Sequence, residues 1–186
     1  MGAHRESFAG LNMSKNISFK RVGTDQAETL LDIAELTFRV GFQHLNDPED
    51  FEAYMAEAFS LQQTKKELGT EGSEFYFAIT GEEVVGYIKL NHGAAQTDIA
   101  TEPGIELQRI YVMPEHQGKG IGQQLLDFAI NTGKKRQFPY LWLGVWEKND
   151  GAIRFYKRHG FQQFGSHTFM LGNDPQTDLL MKLSLG

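Results

Sequence analysis

Along Ile17-Ser-Phe-Lys-Arg-Val22, apolar and polar residues alternate with the two-residue period of a strand that buries one face. After Thr24, a favourable N-cap, the period lengthens, and Leu30, Leu31, Ala34 and Phe38 fall on one side of a helix. Asp47-Pro48 begins a second helix, with the proline in the first turn where its missing N–H matters little. Phe51, Tyr54, Met55, Ala58 and Phe59 supply that helix's apolar stripe. Phe75-Tyr-Phe-Ala-Ile79 and Val84-Val-Gly-Tyr-Ile88 flank Thr80-Gly-Glu-Glu83, which predicts a hairpin, and residues 105–113 add a third strand. A helix follows from about Gly120 to Asn131, with Ile121, Leu125, Phe128 and Ala129 on one face. Leu141-Trp-Leu-Gly-Val-Trp146 is an unbroken apolar run, as in strands buried on both faces. From about Asp150, a helix carries Ala152, Phe155, Tyr156 and His159 on one stripe, and Gly160 suits the C′ position. Residues 161–164, 169–171 and 179–183 complete the pattern as closing strands. The sum is one mixed α/β domain without an obvious linker or internal repeat.

The chemistry concentrates in Arg109-Ile-Tyr-Val-Met-Pro-Glu-His-Gln-Gly-Lys-Gly-Ile-Gly-Gln-Gln-Leu-Leu126. Here a strand passes through a proline turn and three alternating glycines into a helix. That places backbone N–H groups at the positive end of a helix dipole, where they can hold a pyrophosphate. Gln123 stands where a dinucleotide-binding G-x-G-x-x-G needs its last glycine. Gly120 follows Gly118-Lys119 where a Walker A loop needs Ser or Thr, so both nucleotide motifs fail on spacing. A tight turn before a helix is the plain alternative for a lone glycine cluster.

The order Gln117-x-x-Gly120-x-Gly122 at a strand-to-helix junction resembles the acetyl-CoA loop of the GNAT N-acetyltransferases. Asn149, Phe155-Tyr156 and Gly160-Phe161 resemble the second cofactor motif of that superfamily. Leu143-Gly-Val-Trp-Glu-Lys-Asn149, Phe169-Met-Leu-Gly172 and Gln176-Thr-Asp-Leu-Leu180 are similar to the PaiA-type polyamine N-acetyltransferases. The resemblance implies an α/β acyl-CoA N-acyltransferase fold, with a mixed central sheet of about seven strands, flanking helices and a splayed central strand pair. It implies acetyl-CoA as cosubstrate, bound by Gln117, Gly118, Lys119, Gly120, Ile121 and Gly122, with Asn149 and Lys157 as further contacts. The pantetheine arm would pair with the backbone of Ile110 and Val112, and an N–H near Val112 would serve the oxyanion. The acceptor would be a primary amine, with spermidine or spermine as the expected class. Acetylation of protein N-termini or lysines, and a CoA-binding regulatory module without catalysis, are the competing readings.

Direct attack on a thioester needs a neutral amine, yet at a pKa of ~10.4 only roughly one alkylamine in a few thousand is neutral at pH 7. Tyr156 matches the family's general acid, which would protonate the departing thiolate; an aromatic packing residue is the plain alternative. Glu106, on the same strand face as Gln108 if pairing is regular, is the first candidate for base through water or for ammonium anchor. An exposed strand carboxylate is the plain alternative, and a bulge would change the parity. His44, Tyr111 and Glu147 are candidate substrate contacts. The histidines show no H-E-x-x-H or comparable spacing, so no metal is assigned.

Composition narrows the reading further. The 186 residues are 40% hydrophobic, enough for one core-forming domain, and hold no apolar run near the ~20 residues of a membrane span. No cysteine is present, which excludes thiolate catalysis and fits a reducing cytoplasm. A net charge of −6 disfavours nucleic acid and suits a cationic small molecule. Residues 1–12 read as an added or vector-derived leader before a single domain over 13–186, and a homodimer is possible by analogy with the fold.

Overall fold

The structure, a computed structural model, describes residues 17–97, 103–171 and 173–186. The expected leader and Gly172 lie outside the described residues. Strands β1 (Ser18–Arg21), β2 (Ser73–Thr80), β3 (Glu83–His92), β4 (Ile105–Val112), β5 (Tyr140–Trp146), β6 (Gln162–Leu171) and β7 (Asp174–Ser184) form one sheet. Their order is β1-β2-β3-β4-β5-β7-β6. The β4–β5 pair is parallel, and every other neighbouring pair is antiparallel. The helices are α1 (Ala27–Phe42), α2 (Pro48–Ala58), α3 (Leu61–Gly69), α4 (Ile121–Lys135) and α5 (Asp150–Arg158).

Local chemistry accounts for most boundaries. Asp47 caps α2, its Oδ1 accepting from the N–H of Glu49 at 2.9 Å and of Asp50 at 3.3 Å, with Pro48 in the first turn. Asn149 caps α5 by accepting from Ala152 N–H at 3.1 Å, and Gly160 takes the left-handed backbone (φ +86°) that ends it. Thr24 differs from expectation: it opens a 3-10 turn, Thr24–Gln26, and α1 begins after it. Three helices, not two, separate β1 from β2.

Two apolar layers sandwich the sheet. On one face Leu125, Leu126 and Ala129 of α4 join Ile88, Leu90, Ile105 and Leu107 in the larger core. Leu30, Ile33 and Ala34 of α1 join Phe75, Phe77 and Tyr87 in the second. Each fully buried aliphatic or aromatic side chain contributes about 1.5–3 kcal/mol. Trp142 of β5 is fully buried, and its indole N–H donates to Gln96 Oε1 at 2.7 Å.

Two irregularities of β4 shape everything that follows. Its parallel pairing to β5 comprises only Ile105 with Leu141 and Glu106 with Trp142, after which the two strands part. Against β3, Lys89 pairs with Arg109 but Leu90 pairs with Leu107, so Gln108 is an extra, bulged residue. Arg109 follows Glu106 by three positions, an odd offset that would put them on opposite faces of a regular strand. The bulge brings both, and Tyr111 after them, to the same side.

Candidate active site

Where β4 and β5 part, two clefts open and meet. One, of about 860 Å³, is lined by Ile110 and Val112 of β4, by Gln117, Gly118 and Gly122, and by Lys148 and the start of α5. The other, of about 420 Å³, is lined by Glu106, Arg109, Tyr54, His167, Phe169 and Asp178 among others. Tyr111, Trp146, Asn149 and Tyr156 line both, which places Tyr156 at the junction.

The glycine loop has the geometry of an anion cradle. Gly118 (φ +72°) and Gly120 (φ +78°) hold left-handed backbone, and a Cβ at either would meet only open space. Gly120 is the N-cap of α4 and no side chain caps the helix, so its first-turn amides keep their donors. The loop is fixed from below: buried His116 faces Glu83 across 2.9 Å, and the Gln117 amide donates to the Val112 carbonyl at 3.3 Å. Glu115 joins Glu83 and His116, with potential ligand atoms within 4.8 Å of one another. Lys119 is exposed, its ammonium donating to the Glu115 carbonyl at 2.6 Å, and Ile121 turns its side chain into the core. These residues fit a diphosphate through main-chain donors.

Tyr156 is 7% exposed, between Phe155 and Phe161 at ring distances of 5.4 and 5.6 Å. Burial alone pushes its phenol well above the ordinary range, so it stays protonated at neutral pH. Tyr111, shifted upward chiefly by burial as well, stacks on Tyr87 at 5.5 Å.

Glu106 is not an exposed strand carboxylate; it is 2% exposed. Oε2 accepts from Asn91 Nδ2 and from Thr97 N–H, both at 3.0 Å, and Oε1 accepts from the Thr97 hydroxyl at 2.6 Å. Burial raises its pKa, against the pull of those donors. The same Asn91 amide donates to Gln108 Oε1 at 3.1 Å.

The remaining expected residues divide. Ile110, Val112, Gln117, Gly118, Gly122 and Asn149 come together in the larger cleft, and Tyr111 lies where the clefts meet. His44, exposed on the turn Gln43–Leu45, and Glu147, exposed beyond β5, line neither cleft. Lys157 is exposed on α5 and also lines neither, whereas Lys148, which was given no role, lines the larger one. Sequence spacing marks neither Arg109 nor Asp178, which line the smaller cleft. The Arg109 guanidinium pairs with Glu67 Oε1 at 3.0 Å, and Lys89 holds the other oxygen at 2.9 Å. Burial draws the Lys89 ammonium down to about 8, with Arg109 acting in the same direction. Their cross-strand pairing depends on the bulge and has no signature in sequence spacing.

The chain belongs to the Acetyltransferase (GNAT) family, whose family model matches residues 28–161. It is an N-acetyltransferase by that membership. It is 39% identical over 153 residues to an uncharacterised N-acetyltransferase of Lactobacillus delbrueckii subsp. lactis, covering 82% of this chain and 88% of that one. A spermidine N(1)-acetyltransferase of Thermoplasma acidophilum is 25% identical over 151 residues, covering 79% and 89%. In fold, the PaiA N-acetyltransferase of Thermoplasma acidophilum, solved in complex with coenzyme A, superposes with a TM-score of 0.72 at 22% identity, covering 91% of this chain and 99% of that one. The seven-stranded sheet and the parted β4–β5 pair agree with the expected architecture. No helix among the described residues is long and apolar enough to cross a membrane.

Proposed function

We propose that this protein transfers the acetyl group of acetyl-CoA to a primary amine of a polyamine in the spermidine and spermine class. The observation that carries the reading is the meeting of the two clefts at Tyr156, one floored by the glycine loop and the other walled by aromatic rings and carboxylates. A cleft of about 420 Å³ with Glu106 and Asp178 in its lining suits a slender cation better than a peptide backbone. The spermidine-acetylating relative, at 25% identity, supports the same class.

Bound acetyl-CoA would supply the reactive thioester, with the amides of Gln117 to Gly122 on its diphosphate and the freed edge of β4 along its pantetheine. Glu106 takes the proton released as the amine nitrogen bonds to the carbonyl carbon, through an intervening water or by direct contact. Its buried position keeps it basic enough for that purpose. Tyr156 gives its phenolic proton to sulfur as the C–S bond breaks, and is reprotonated afterwards.

The test is an initial-rate survey with acetyl-CoA and equal concentrations of polyamines, monoamines and N-terminal peptides, read as free thiol. Turnover should concentrate on polyamines. Preferential acetylation of peptides would replace this reading, and silence across the panel would favour a regulatory binding module.

A further inference from the structure

Asparagine is disfavoured within strands, yet Asn91 stands near the end of β3, 1% exposed and directly across from Glu106 in the β3–β4 register. Its Nδ2 donates to Glu106 Oε2 at 3.0 Å and to Gln108 Oε1 at 3.1 Å. Both partners are acceptors, so the orientation of the amide is settled: a flipped group would set Oδ1 against a carboxylate. That leaves Oδ1 buried with no hydrogen-bond partner among the described residues. An apolar side chain would avoid that cost, so strand stability and packing do not account for Asn91. Its two amide hydrogens do.

Glu106 is held from two directions. Thr97, in the loop after β3, donates through its N–H and its hydroxyl, and Asn91 donates from the strand. A planar amide sends its two N–H bonds in fixed directions, so Asn91 also sets how far the carboxylate stands from Gln108, the extra residue of the bulge. Glu106 and Gln108 both line the smaller cleft. Asn91 lines neither cleft, so a change there reaches the acceptor only through those two partners. Of the charged side chains, Lys89 of β3 bears on Glu106 and favours the carboxylate, as the donors do. Trp142, opposite Glu106 on β5, is uncharged, and the Arg109 guanidinium is engaged by Glu67.

We propose that Asn91 is a positioning residue for acetyl transfer: one side-chain amide holds the Glu106 carboxylate in the smaller cleft and couples it to the bulge at Gln108. This rests on the reading of Glu106 as base above and extends it to a residue that never touches the amine. Donors to a carboxylate favour its charged form, whereas burial favours the neutral acid. Without the Asn91 amide burial gains ground, and Glu106 keeps its own proton to higher pH before it can accept the amine's.

The experiment records kcat and kcat/KM from about pH 5 to 9, with the amine that the survey above turns over fastest. Wild type, Asn91→Ala, Asn91→Leu and Glu106→Gln are compared, with calorimetry of acetyl-CoA binding reporting the fold of each. In both Asn91 variants the acid limb, where rate rises with pH, should move up by about one pH unit or more, the size of one hydrogen bond to a charged group. Leucine fills the space that alanine leaves, so a shift common to both reads the lost donor and not a cavity. In a Glu106→Gln background neither Asn91 substitution should move the profile further. A limb at its wild-type position in either Asn91 variant that binds acetyl-CoA overturns the assignment. Loss of acetyl-CoA binding in both also overturns it, since Asn91 would then hold the fold and not the base. Glu106→Gln with the wild-type rate and limb overturns the base reading itself.

Discussion

Burial keeps the Tyr156 phenol protonated, and the flanking rings of Phe155 and Phe161 fix its direction at the cleft junction. Removing only the oxygen should therefore separate chemistry from packing. In Tyr156→Phe, kcat should fall about 100-fold or more, within the range for general acid catalysis. Calorimetry should find acetyl-CoA affinity little changed. An unaltered rate and pH profile would take the acid role away. The glycine loop and the place of Tyr156 at the cleft junction were legible in sequence because each depends on a local pattern: glycines with φ above +70° before a helix, and an aromatic pair about two turns after a capping asparagine. Glu106 was legible as a residue but not as an environment. Its three donors come from Asn91 and Thr97, both distant in the chain, and only the folded sheet assembles them.

Among the elements, α3 is the instructive omission. Leu61-Gln-Gln-Thr-Lys-Lys-Glu-Leu-Gly69 has too few apolar residues for a helical stripe, although Ser60 accepts from the Gln63 N–H at 3.2 Å as an N-cap. What anchors it is Glu67, gripped by Lys89 and Arg109 from two strands. Helix α4 runs to Lys135, past the expected end, because Gly133 is a close-packing site and not a stop: a Cβ there would come within 2.6 Å of Leu185. β6 is one strand, not two fragments, since a bulge between Gln163 and Gly165 absorbs the break in pattern. For α5 the cap is measurable. Asn149→Ala should cost about 1 kcal/mol in urea denaturation. If its amide also touches the cofactor, the acetyl-CoA KM should rise as well. Asn149→Asp should keep the stability, because a carboxylate caps equally well, and a loss of stability equal to that of alanine would deny the cap its weight.

At the scale of the molecule, Glu74 ties the N-terminal half of the sheet to the end of α4. It pairs with Arg136 at 2.8 Å and Arg21 at 3.1 Å and accepts from the Tyr76 hydroxyl at 2.6 Å. Burial would raise its pKa, but Arg136 and Tyr76 prevail and hold it at about 2. A folded pKa below the unfolded value of about 4.3 means that this stabilisation is complete above pH ~4.3 and drains away as pH falls towards 2. Glu74→Gln should lose about 1–3 kcal/mol at pH 7 and flatten the acid limb of the stability curve in that window. A variant with the wild-type acid limb would locate the acid sensitivity elsewhere. The fold as a whole was readable because strand and helix periods follow one another cleanly. The smaller cleft was not, because its walls come from β4, β5, β6, β7 and helices α1, α2 and α5 at once. The bulge at Gln108 carries a consequence for how such an enzyme can diversify. Losing one codon there would restore the even pleat and remove the bulged Gln108, yet Glu106, Arg109 and Tyr111 would keep their β3 partners and their side of the sheet. A single deletion at that point can thus trim one wall of the smaller cleft, whereas a one-residue slip anywhere else in β4 would turn its side chains to the opposite face.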